Sequence, residues 1–327
     1  MAASPEGARL TEQHRLEQQQ VTNGFLTEFI ALWVLLDTAR LDDTSPGWIQ
    51  AVVRLIRDYR ARSARVAVAY YGAFAEQERP GGAPELVIPR LWAPTEQPAE
   101  PVPLPTRSRN RLEPTPAQRD TRTAGQRTNH TDTGRGRVRV TFDDSAVPRS
   151  SGRRSRVEIP DLTFEREDRA VRVSMEVTGP VAQKSKTARN KPRVVVRDES
   201  FEAAAGSATR HVLTGGRRSL LTLVEADPQA LGWARVTDGD PCAFCAMLAS
   251  RGPVYGTEAA AGFSAHDACA CTAEPVYSRQ APWPGRAREF QEMWRETTRN
   301  TSGRDSINAF RRAYEQQQRD QRRRGVA

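Results

Sequence analysis

Long hydrophobic runs are missing from this sequence. Its most apolar stretch, FLTEFIALWVLL at 25–36, is broken by Glu28 and is too short to span a bilayer. The opening segment, MAASPEGARLTEQHRLEQQQ, lacks the apolar core of a secretory signal. The expectation is therefore a chain made in a reducing cytosol, with no membrane among its partners. Cysteine and histidine are also scarce, with four of each in 327 residues. Hydrophobic residues reach only 38%, below the usual globular range, beside 22 Gly and 22 Pro, so part of the chain is expected to remain unfolded. Positive charge is plentiful instead. A formal charge of +9 and a pI near 9.9 suit an anionic partner, nucleic acid or an acidic protein surface, without identifying it.

Read along its length, the chain divides into four parts. Residues 1–78 are expected to form a helical hairpin. Phe25, Phe29, Trp33 and Leu36 recur at helical spacing, Asp42 and Asp43 help to end that helix, and Ser45 with Pro46 opens the next. Ile49, Val52, Val53, Ile56, Tyr59, Val66, Tyr70 and Phe74 then continue an apolar stripe, which reads as core and needs a surface to pack against. Residues 79–136, rich in Pro, Arg, Thr and Gly, read as a disordered basic linker. Residues 137–198 show weak strands, at Val138, Val140 and Phe142 and at Val171, Val173, Met175 and Val177, followed by a basic loop, VAQKSKTARNKPR. Residues 199–327 return to helical patterning, with Gly215 and Gly216 as a break between two helices and His211 as an ordinary helix-face residue. Near the end, Phe290, Met293 and Trp294, then Ile307, Phe310 and Tyr314, mark two more helices.

All four cysteines fall within one short stretch of this last part: Cys242, Cys245, Cys269 and Cys271, with His266 beside them. The C-x-x-C pair aims two thiolates at one ion from a single turn, and C-x-C returns with two more. Soft sulfur donors, four of them or three with His266, suit Zn2+ better than magnesium or calcium. Reduced core thiols, a redox pair and later disulfides are the competing readings. Flanking residues suggest a strand at LGWARV, a helix begun under Asp240 at CAFCAMLAS, and an extended return at CTAEPVY. The fold class expected is α+β, mostly helical, with a small C-terminal α+β domain closed by a cysteine-rich metal knot.

The pattern W-A-R-x-x-D-x-x-x-C-x-x-C, a short loop, H-x-x-C-x-C and then EPVY resembles the phage minor head proteins typified by the F protein of phage Mu, in the form found in phages of actinobacteria. The likeness runs from about Glu199 to Tyr314. Asp267 and Ala270 replace the proline and arginine of the commoner ending His-Pro-x-Cys-Arg-Cys. The resemblance implies a minor capsid protein of head morphogenesis, located in the virion head, with the portal, major capsid or scaffold protein as partners. It also implies support for packaging or delivery of DNA, which basic segments can contact.

Two rival classes stay open. Proteins of this type are often labelled capsid maturation proteases, yet no G-x-S-x-G elbow is present. Ligation would quench Cys242 as a nucleophile toward His266, and no catalytic residue is assigned. An open hydrolytic metal site would need a base, for which Glu258, Asp267 or Glu274 are available. The other rival is a zinc-knuckle nucleic-acid-binding module. Between the cysteine pairs the only permanent cation is Arg251, which argues against phosphate recognition by the knuckle.

Overall fold

Helix α1 (Pro5–Trp33) opens at Ser4, whose hydroxyl accepts from Gly7 N, with Pro5 in the first turn where its missing N–H costs nothing. It is followed by α2 (Leu41–Glu78), and the two form the expected hairpin. In this computed structural model, residues 4–87, 156–158, 165–255 and 263–325 are described. They all belong to one compact unit, 1–102 with 154–327, and a second unit, 103–153, lies outside the described residues. Asp42 and Asp43 do not end α1. They sit in the first turn of α2, where acidic side chains complement the helix dipole. Pro46 accordingly lies inside α2, and Ser45 turns its hydroxyl back to Leu41 O.

From Arg79 the backbone turns through Gly81 and Gly82, both at positive φ. Strand β1 (Glu85–Val87) then pairs in parallel with β2 (Arg156–Glu158). The linker reading therefore begins too early. Arg79 is buried and its Nε lies 2.9 Å from Asp227 Oδ2, an ion pair that ties this turn to the end of a later helix. Such an anchor is invisible to composition. The rest of the linker, and Val138, Val140 and Phe142, lie outside the described residues.

The strand expected at 171–177 is a helix, α3 (Glu165–Glu176). Alternation at period two is also two interleaved i,i+4 sets. Val171 and Met175 are buried in the hairpin core, while Val173 and Val177 face water. A π-helical turn (Val177–Val181) carries Gly179 and Pro180 and passes into α4 (Ala182–Thr187), so the first half of the basic loop is helical too. Asn190, at φ 59°, reverses the chain.

Helix α5 (Arg193–Ala226) is continuous through Gly215 and Gly216. These glycines serve packing: a Cβ at Gly215 would fall 2.2 Å from Arg60 O, and one at Gly216 2.7 Å from Ser63 Oγ. Only hydrogen fits where α2 and α5 cross. Around that crossing, Phe25, Phe29, Trp33, Trp48, Ile56 and Tyr59 pack with Ala204, Ala208 and Val212 in the main core.

Strand β3 (Gly232–Val236) is central in a three-stranded antiparallel sheet, flanked by β4 (Val254–Tyr255) and β5 (Thr272–Val276), with Trp233 opposite Pro275. Helix α6 (Ala243–Ala249) packs with α7 (Ala287–Thr297) and α8 (Gly303–Arg323) around Met247, Phe290, Phe310 and Tyr314. The fold is thus mostly helical with a small sheet, as expected. Among the described residues no helix is long and apolar enough to cross a membrane.

Candidate metal centre

Sheet and helix bring the cysteine pairs together. After β3 the chain turns at 237–241 and enters α6, with Cys242 as its N-cap accepting from Cys245 N at 3.4 Å. The expected cap, Asp240, is used elsewhere: its carboxylate accepts from Gln318 Nε2 at 2.7 Å and pairs with Arg322 at 3.1 Å. The return passes His266 and a turn at Asp267–Ala268, with Ala268 at φ 60°, before Cys269, Cys271 and β5. Ala268 N donates to Gly206 O of α5 at 2.9 Å, which fixes the turn against that helix.

The donors form two overlapping triads that share Cys245. In each, Cys242–Cys245–His266 and Cys245–Cys269–Cys271, the ligand atoms lie within 4.8 Å of one another. His266 Nε2 is 3.0 Å from Cys242 Sγ and 3.3 Å from Cys245 Sγ, and Cys245 Sγ is 3.6 Å from Cys269 Sγ. Four donors about 2.3 Å from a tetrahedral ion stand about 3.8 Å apart, so this spacing accepts one. It is far longer than a disulfide bond of about 2.05 Å, and the cysteines are free thiols. His266 Nδ1 lies 2.6 Å from Asp267 O. Because a carbonyl only accepts, Nδ1 carries the proton and the Nε2 lone pair faces the thiols, the arrangement common to metal-binding imidazoles.

Electrostatics also favour a cation. A hydrogen bond from Cys245 holds the Cys242 thiol down to about 5, and bonds from Cys245 and Cys271 hold Cys269 far below the ordinary thiol value. Cys245 is driven far up by the thiols around it. Cys271 is drawn down by Cys245, but its bond to Cys269 and its burial raise it to about 12. The cluster thus carries negative charge in a buried place, with Cys245, Cys269 and Cys271 almost wholly covered. Arg217 on α5 supplies nearby positive charge, donating to Cys271 O at 2.9 Å and Cys269 O at 2.6 Å. Together with Arg235, its guanidinium stacks on Phe263, at 5.0 and 3.9 Å from the ring centre. Neither arginine stood out in the sequence; only their register on α5 and β3 brings them here. The donor set fits a soft divalent ion.

The other residues considered for chemistry lie apart from this set. Glu274 is buried on β5 and accepts from Thr11 Oγ1 at 2.6 Å, beneath Tyr70 of α2. Burial raises its pKa to about 7. Asp267 is exposed and pairs with Arg210 at 2.7 Å. His211 is buried, with its pKa lowered to about 4 chiefly by burial, and packs as an ordinary helix residue. Glu258 lies outside the described residues.

Residues 164–297, which enclose every donor of the cluster, match a family described as VG15 protein. The chain is also similar to the Gene 15 protein of Mycobacterium phage D29, at 26% identity in an alignment of 155 residues that covers 32% of this chain and 56% of that protein. The similarity thus spans a little over half of that relative's length. No solved structure matches the chain. Both matches support a relationship to a phage protein family.

Proposed function

We propose that this chain is a phage minor capsid protein of the Mu F-like type, acting in head morphogenesis, and that its cysteine cluster is a structural zinc site. One observation carries the reading: the segment matching a phage family encloses the whole donor set. The relative from phage D29 adds the phage context, and the W-A-R to C-x-C-x-x-E-P-V-Y pattern adds the minor head type.

In this reading the zinc does no turnover. Cys242, Cys245 and Cys269 hold it with His266 or Cys271, and a closed coordination shell leaves no position for substrate. The ion discharges the thiolates and fastens the start of α6 to the approach of β5, closing a loop whose entropy the small sheet alone offsets poorly. Arg217 and Arg235 brace that loop from outside through backbone carbonyls. Zinc-knotted and helical parts together make a rigid body suited to assembly with the portal, shell or scaffold protein, in a DNA-filled interior that tolerates the chain's positive charge.

Two measurements test the two halves. Elemental analysis should find one zinc per chain, lost in Cys242→Ser and Cys269→Ser. A metal-free native protein would sink the zinc site and return attention to Cys242 and His266 as a reactive pair. Mass spectrometry of purified heads should find the protein at low copy number beside the portal; its absence from heads would remove the capsid reading and leave the metal result standing.

A further inference from the structure

Apolar side chains usually face inward, so a run of large exposed ones on two neighbouring helices is informative. Along the outer side of α1, Leu26, Ile30 and Val34 follow one another at i, i+4 and i+8, with Ile30 52% and Val34 63% exposed. Beside them on α5 stand Val194, 72% exposed, and Phe201, whose ring meets Trp33 at 5.6 Å. Two hollows of about 660 and 490 Å3 lie along this seam. The first reaches Ile30 and Phe201, and the second begins one turn further on, at Val34 and Arg197. They read as one trough between α1 and α5.

The trough is polar in a directed way. At the hairpin tip its walls carry Arg193 and Arg197. At the other end, next to the cysteine knot, they carry Glu202, Asp238 and Asp240. An apolar floor with opposite charges at its two ends matches an amphipathic helix lying lengthwise, which is a recurrent mode of peptide recognition. From Thr22 to Val34 the α1 wall spans about 18 Å at 1.5 Å per residue, or somewhat more than three turns. Duplex DNA is a poor occupant, because phosphates are met by cations and not by valines. A second copy fits badly as well. Its own exposed valine stripe, Val173, Val177 and Val181, is flanked by Arg169 and Arg172 at one end and Lys184 at the other, so one basic end would always meet Arg193 and Arg197.

We infer that the α1–α5 trough is a docking site for an amphipathic helix of another protein, one with acidic residues at the end that reaches the hairpin tip and basic residues at the end that reaches the knot. This rests on α1 and α5 alone and not on the metal or the capsid reading. The probe is a synthetic helix of about 16 residues with leucine at every third or fourth position, glutamates at one end and lysines at the other, beside a control with the same leucines and lysines at both ends. Fluorescence anisotropy on the full chain should show the bipolar peptide binding at least tenfold tighter than the all-lysine one, with an affinity that weakens as salt rises. Val34→Asp and Val194→Asp, both at exposed positions, should each weaken binding about tenfold or more while thermal unfolding stays unchanged. The double change Arg193→Glu with Arg197→Glu should erase the preference between peptides. Equal binding of both peptides, or indifference to all of these substitutions, would overturn the proposal. So would sedimentation showing a dimer of the free chain that Val194→Asp dissociates, since the occupant would then be a second copy.

Discussion

The aromatic cluster at the hairpin tip and the thiol cluster beneath α6 keep equally buried groups together with different materials. Around Phe29, the rings of Phe25, Trp33, Trp48 and Phe201 stand 5.4 to 6.3 Å apart. Many small contacts add up there, and none is indispensable. Around Cys245 the apolar surface is slight, with Phe263 and Ala265 packed on three cysteines, and cohesion depends on a few donors of fixed chemistry. Graded tolerance is expected in the first region and all-or-none behaviour in the second.

Chelation should separate them most sharply. Removing zinc, or replacing Cys245 with Ala, is expected to abolish hydrogen-exchange protection across 242–250 and 269–276 while leaving 25–33 and 48–59 protected, since structural zinc in small motifs contributes on the order of 10 kcal/mol. Equal loss in both regions would mean that the knot has no separate support. Phe29→Ala should cost about 3–5 kcal/mol in urea unfolding with zinc content unchanged; loss of zinc in that variant would show that the two regions are not independent.

At the seam between them, His14 on α1 stacks on Tyr70 at 4.2 Å, and Thr11 links Tyr70 to Glu274. Burial lowers His14 to about 3, so as pH falls below about 6.5 the unfolded chain takes up the proton first and stability is lost. Burial raises Glu274 to about 7, so its native carboxyl is protonated first, and its contribution is full below about 4.5 and lost as pH rises through 7. Between pH 7.5 and 5 these two effects oppose each other, each worth about 2 kcal/mol. His14→Gln should therefore become relatively more stable on acidification, and Glu274→Gln relatively less. Parallel pH profiles for wild type and both variants in urea titrations would refute the compensation. The smallest effect belongs to Arg210→Ala. Its partner Asp267 is exposed, so the change should cost less than about 1 kcal/mol and leave zinc in place, unless the pair positions His266 more firmly than its exposure suggests.

The cysteine cluster was legible in the sequence because its chemistry is local and its residues are rare. The hairpin was legible from the spacing of Phe25, Phe29 and Trp33. Features built by distant partners were not. Gly215 and Gly216 looked like a break because their neighbour across the crossing, Arg60, lies far away in sequence. Val171 to Val177 looked like a strand because buried Val171 and Met175 alternate with exposed Val173 and Val177, and only the surroundings tell period two from paired i,i+4 faces. Arg79 looked like the first residue of a linker because Asp227, its partner, is 148 positions on.

The hydrogen bond from Thr11 to Glu274 joins residues 263 positions apart. At synthesis rates of about 5–20 residues per second, α1 leaves the ribosome roughly 13 to 53 s before the strand that completes its packing. During that wait its inner face is uncovered. It carries Thr11, His14 and Gln18 where a helix packing at once would carry leucines, so the side chains left waiting are ones that water can satisfy.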